Sequence, residues 1–173
     1  MIRLLCAATL LAALNLEAAE PSVLRFPVGG FSIQALEERP GDTTRQALVM
    51  TLPATGDFAA NVNVQIQPFD GSLDEYVALS EEQFQAMGLH SIAQQRLDAN
   101  TAVFEYTGEL AGRRLHWYSR AERAPGRIYL ATATATEQQW TTAGARLKAC
   151  VDSLRRTDGN TTDSGTDEAV AAR

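Results

Sequence analysis

The spacing of apolar residues changes period repeatedly along this chain, and the order of those changes limits its fold more than any single residue does. From Asn61 to Phe69 the pattern is strict alternation. Val62, Val64, Ile66 and Pro68 fall on one side, and Asn61, Asn63, Gln65 and Gln67 on the other. A period of two over that length predicts a half-buried strand. At Ser72 the period lengthens. Ser72-Leu73-Asp74-Glu75 is a capping box, in which the serine oxygen accepts from the Glu75 backbone and the Glu75 carboxylate reaches back. Leu73, Tyr76, Val77, Phe84 and Met87 then recur near helical spacing, Ser80 fills one turn, and Gly88 ends the helix.

Strand-like segments return over His90–Leu97, Thr101–Thr107, Arg113–Glu122 and Arg127–Ala135. Gly108–Gly112 and Ala124-Pro125-Gly126 read as the intervening turns, and Pro followed by Gly suits a type II turn. Strands joined this tightly must run antiparallel. A second capping box, Thr136-Glu137-Gln138-Gln139, opens a helix with Trp140, Leu147, Val151 and Leu154 on one stripe. Lys148, Arg155 and Arg156 are expected toward its end, where cations complement the helix dipole. Upstream, Phe31–Leu36 and Ala47–Leu52 read as strands around a turn at Glu37–Arg45. The sum is an α+β fold, a mostly antiparallel sheet flanked by helices.

Composition settles how such a fold is held together and what it avoids. Met1-Ile2-Arg3, the apolar run Leu4–Leu14 and the Ala-ending exit to Ala19 have the order of a secretory signal peptide. The apolar run is too short for a membrane span, which needs about 20 residues. Residues 1–19 are therefore expected to be removed on export, to the periplasm if the source is Gram-negative, and no membrane anchor is expected in the mature chain. Cys6 leaves with the signal, so Cys150 has no intramolecular partner. Stability must then come from one hydrophobic core, for which the single domain at 20–156, about 135 residues, is large enough. Residues 157–173 carry Asp158, Asp163, Asp167 and Glu168 against Arg173, with little to bury, and are expected to be a disordered acidic tail. A net charge of -6 argues against binding the phosphate backbone of nucleic acids.

Three passages resemble a known family. They are Asn61–Val64 leading through Gly71-Ser72-Leu73-Asp74-Glu75-Tyr76-Val77; the strands around Ala102 and Arg114-Leu115-His116 that end in Tyr129–Thr134; and Ser153-Leu154-Arg155. In that order the chain is similar to the group of photosystem PsbP proteins, eukaryotic Ran-binding Mog proteins and bacterial DcrB-like proteins, over roughly Phe31 to Arg155. The resemblance implies a compact α/β/α sandwich used as a binding platform or adaptor, without cofactor. The membrane-proximal Cys of lipid-attached bacterial relatives is missing here, which implies a soluble exported form.

No catalytic set assembles in the sequence. His90 and His116 stand far apart, no nucleophile elbow occurs, and two His with one Cys lack metal-ligand spacing. Asp74 and Glu75 are explained by the first turn of their helix. Cys150 reads as a small buried hydrophobe. The best candidate surface is the Arg113–Glu122 strand. There Arg114, His116, Tyr118 and Arg120 share one face and could hold a carboxylate, a phosphate or an acidic protein edge, or else simply meet water or cover a helix. Phe58, in the loop Pro53–Ala60, either offers a second contact or folds back onto the sheet. The expected function is a non-catalytic binding or accessory module for another envelope or secreted protein. The alternative is a binder of a small anionic or apolar ligand, and an enzyme ranks behind both.

Overall fold

In the computed structural model, residues 23–36 and 43–156 are described, and the expected signal segment (1–19) and acidic tail (157–173) lie outside them. The chain divides into two units after Pro40. The first holds an antiparallel hairpin, β1 (Val23–Phe26) and β2 (Phe31–Gln34). Pro27 opens the short 3-10 turn between them, and Gly30, at φ 68°, closes it. Phe26 and Phe31 stack across the turn, ring centroids 4.9 Å apart. The sequence predicts only the second of these strands, extended to Leu36, because Val23–Phe26 has no alternation to announce it.

In the second unit, β3 (Arg45–Thr51), β4 (Asn61–Pro68), β5 (His90–Arg96), β6 (Thr101–Leu110), β7 (Arg113–Ala124) and β8 (Arg127–Thr136) form one sheet. Its order is β3-β4-β8-β7-β6-β5, and every neighbouring pair is antiparallel. α1 (Leu73–Ala86) carries the chain from β4 to the edge strand β5, and α2 (Glu137–Asp152) follows β8. Both capping boxes form: Glu75 N donates to Ser72 Oγ at 3.2 Å, and Gln139 N donates to Thr136 Oγ1 at 3.2 Å.

The two helices cover opposite faces of the sheet. Leu115, Trp117 and Ala121 of β7 pack with Leu73 and Tyr76 of α1. Ala131, Ala133 and Ala135 of β8 pack with Leu147 and Val151 of α2. Trp117 pairs with Thr134 and Tyr118 with Ala133 across the ladder, so the alanines lie on the face away from Trp117. Small alanines at that face let α2 come close. The α+β arrangement implied by the sequence is the one that forms.

Two local expectations need correction. The turn between β6 and β7 is not the five residues Gly108–Gly112 but Ala111-Gly112 alone, with φ of 52° and 73°. Two consecutive positive φ values make a type I′ turn, whose twist matches the paired strands. The second helix ends at Asp152 with no basic residue in its last turn, so Arg155 and Arg156 lie beyond it. Leu154, expected on its stripe, still packs against the α2-side core.

Candidate functional site

Arg114, His116, Tyr118 and Arg120 do share a face of β7, but it is the face beneath α2. That helix divides them. His116 is only 7 % exposed, and its ring stacks on Trp140 with centroids 4.0 Å apart and planes 13° apart. Gly144, one turn further along α2, makes room for the indole, since a Cβ there would stand 3.1 Å from the ring. His116 Nε2 lies 2.9 Å from Glu105 Oε1. An ionised carboxylate only accepts, so Nε2 carries the proton. Lys148 Nζ donates to the other oxygen of Glu105 at 2.6 Å. Its ammonium also stands 5.2 Å from the centre of the Tyr118 ring. Tyr118 donates its hydroxyl to Asp152 Oδ1 at 2.9 Å.

The electrostatics follow from this enclosure. Burial pushes the Glu105 carboxyl up, but the hydrogen bonds from Lys148 and His116, with their charges, outweigh it and hold the group below its ordinary value. Burial, with the hydrogen bond and charge of Asp152, pushes the Tyr118 hydroxyl up to about 12. Two of the four sequence candidates are therefore clamps between α2 and the sheet. His116 Nδ1 has no hydrogen-bond partner among the described residues and lies 3.7 Å from Glu137 Oε2.

The other two stand at opposite ends of β7. Arg114 is exposed and borders an open cleft of about 730 Å³ between the Thr55–Asp57 segment and the first turn of α2. Its neighbour Arg113 donates to Asp57 Oδ2 at 2.6 Å. Arg120 donates to Glu122 Oε1 through Nε at 2.9 Å and also lies 2.8 Å from it through its terminal nitrogen. It shares a cleft of about 440 Å³ with Arg123, Arg155, Arg156 and Asp98. No sequence pattern announces that grouping, because it depends on where the chain emerges from α2.

A third feature lies on the α1 side. Met87, Leu89 and Leu110 wall an apolar cleft of about 320 Å³ over Tyr106 and Trp117, with Glu109 at its rim. Leu89 reaches across β6 because residue 108 is glycine: a Cβ there would fall 2.4 Å from Leu89 Cδ2. Met87, expected in the buried stripe of α1, is 59 % exposed, and Leu110 is 58 % exposed. The physical reason is that α1 stops at Ala86, so Met87 is its C-cap and leaves the stripe. The sequence does not single out Leu110, because its pattern places that residue in a turn.

Between α1 and the sheet lies a smaller space of about 260 Å³ with Tyr76 and Phe84 at its walls. Its hydroxyls largely satisfy one another: Tyr106 with Ser119 at 3.2 Å, Ser119 with Thr132 at 3.0 Å, and Tyr76 donating to Gln67 at 2.9 Å. Phe58 is half-buried against the α1-side core. Cys150 is half-buried against the α2-side core. Among the described residues no group of His, Cys, Asp and Glu is gathered to hold a metal, and no helix is long and apolar enough to cross a membrane.

No family model matches the chain, and no curated protein matches it significantly. Solved structures do. A Pseudomonas aeruginosa protein of unknown function, PA94, superposes with a TM-score of 0.59 at 14% identity, covering 79% of this chain and 97% of that one. The cyanobacterial PsbP protein CyanoP of Synechocystis sp. PCC 6803 gives 0.41 at 12% identity, covering 83% and 96%. The likeness to the Pseudomonas protein is one of fold alone.

Proposed function

We propose that this chain is an exported, non-catalytic accessory module of the PsbP, Mog and DcrB kind that docks another envelope or secreted protein. The observation that carries the reading is the apolar cleft at the C-terminal end of α1. Its floor is aromatic, its walls are exposed Met87 and Leu110, and the strand beside it, β5, is an edge whose Ile92 has no partner in the ladder and is 54 % exposed. Apolar side chains gathered at one exposed place mark an interaction site more often than scattered ones do. Glu109 also lines the cleft, and its side chain makes no hydrogen bond or ion pair among the described residues. The partner chemistry that fits is an apolar anchor residue flanked by lysine or arginine. A small ligand held by Arg114, His116 and Tyr118 together has less support, since α2 closes over the middle of that row.

The test is chemical crosslinking in intact cells with the native leader retained, followed by affinity capture. One dominant, stoichiometric protein is expected. Met87→Asp and Leu110→Asp should each remove it, because losing a hot-spot side chain costs about 2 kcal/mol or more and the new carboxylate would have to be desolvated as well. Val49→Asp, on an exposed apolar residue of the other edge strand, should leave it in place. Recovery of background proteins only, or capture indifferent to both cleft substitutions, would overturn the proposal.

A further inference from the structure

The cleft around Arg120 collects four guanidinium groups, those of Arg120, Arg123, Arg155 and Arg156, against two carboxylates, Asp98 and Glu122. This happens in a chain whose formal charge is -6. Gathering like charges is unfavourable, by about 1 kcal/mol for a pair 4 Å apart in water and more where water is partly excluded. How the four are held matters more than how many there are. Among the described residues Arg120 is the one of the four held in an ion pair, with Glu122, and both side chains of that pair are largely buried; the Glu75 carboxylate feels the charge of Arg123 but accepts its hydrogen bonds from Ser72. Arg123 donates through Nε to the backbone oxygen of Gly71 at 2.6 Å. Arg156 donates to the backbone oxygen of Arg123 at 3.0 Å. Arg155 donates to the backbone oxygens of Asp152 and Leu154, each at 2.6 Å.

Backbone carbonyls orient a guanidinium without cancelling its charge. Each of these three arginines spends only one nitrogen on its anchor. Among the described residues, nothing takes up the remaining N–H groups of Arg123, Arg155 and Arg156. Asp98 does not answer them: its Oδ1 accepts from the Asn100 backbone at 2.7 Å. That backbone hydrogen bond, followed by the hydrogen bond of the Thr101 side chain, holds its carboxyl below the usual value. Helix-end capping explains Arg155, whose donor nitrogen reaches the carbonyl of Asp152, the last residue of α2. It does not explain Arg123, which comes from the end of β7, nor Arg156, which bonds to β7 rather than to the helix.

We infer that the cleft formed by Arg120, Arg123, Arg155 and Arg156 is a binding site for a small oxyanion carrying at least two negative charges. Planar guanidiniums that present paired N–H groups suit carboxylate and phosphate oxygens equally. A cleft of about 440 Å³ takes a compact ligand of either kind. This site lies at the end of the strands marked by the Thr101–Glu122 pair, and the apolar cleft lies at the end marked by Leu110–Arg113. The inference therefore stands independently of the docking proposal.

The experiment is titration calorimetry on the full mature chain with pyrophosphate and, separately, with citrate, at ionic strength matched by sodium chloride. Saturable binding of one of them at a single site is expected, and the stronger of the two identifies phosphate or carboxylate as the group recognised. Arg156→Gln and Arg123→Gln should each weaken it about tenfold, the equivalent of 1.4 kcal/mol. Arg114→Gln, outside the cleft, should leave it unchanged. Arg156 is exposed, so its variant tests the site even if Arg123→Gln disturbs the fold. Absence of saturable binding by both anions, or equal weakening by Arg114→Gln, would overturn the inference.

Discussion

Trp117→Ala is expected to lower the free energy of unfolding by about 3–5 kcal/mol, the range found when a large buried aromatic is cut back to a methyl group. Trp117 is the broadest side chain in the α1-side core, stacked on Tyr106 with centroids 5.3 Å apart and planes 16° apart. Tyr106 is stacked in turn on Phe84 of α1 at 4.1 Å. Removing the indole therefore takes away the support through which the sheet holds α1 at its C-terminal end. A urea melt should show a lower midpoint at nearly constant slope. The melting temperature should fall by about 6–20 °C, taking 2–4 °C per kcal/mol for a chain of this size. Trp117→Phe keeps a ring on Tyr106 and should lose distinctly less. A loss under about 1 kcal/mol for the alanine variant would mean that Trp117 does not carry the packing described.

Glu105→Gln is the second large effect, and its size should depend on pH. At neutral pH the substitution leaves Lys148 without its carboxylate and removes the charged acceptor of His116. Hydrogen bonds to charged groups contribute about 1.5–3 kcal/mol each way of counting, and Lys148 is part exposed, which brings the expectation toward the lower end. Glu105 is held below its ordinary value of 4.5 in the folded state. Its ionised form therefore adds stability that is complete above the unfolded value and is lost as pH falls through the lowered folded value. The gap between the native chain and Glu105→Gln should accordingly narrow on acidification below 4.5. A gap independent of pH, measured by urea unfolding along a pH series, would contradict the clamp.

The sheet was legible in the sequence because its signals are local. The alternation of Asn61–Pro68 and both capping boxes each name their own structure within a few residues. The Pro125-Gly126 turn is equally plain, with Gly126 at the positive φ of 73° that a type II turn requires. The hairpin of Val23–Gln34 was half-missed because its first strand does not alternate. The sequence predicts too long a β6–β7 turn because Gly108 looks like a turn residue. In the fold, that glycine instead serves the passage of Leu89 over the strand.

Sites were less legible, for a physical reason. Alternation correctly assigned Arg114, His116, Tyr118 and Arg120 to one face, but period two says nothing about what lies over that face. The buried stripe of α2 and the alanines of β8 together decide that the helix covers it. An apolar residue at helical spacing, Met87, was expected in the core, and the helix end one residue before it turned it outward. The arginine cleft joins the end of β7 to the residues after α2, a contact between segments distant in sequence. Pattern alone does not carry such long-range information.

We propose that the apolar cleft receives a partner protein. A photo-reactive side chain placed at Leu110, with an equal one at Val49 as control, tests it in cells producing the full-length chain. A single crosslinked species of discrete mass is expected from position 110 and none from position 49. The crosslinked peptide of the partner should hold an apolar residue beside a lysine or arginine. Equal labelling from both positions, or no discrete adduct from position 110, would contradict it.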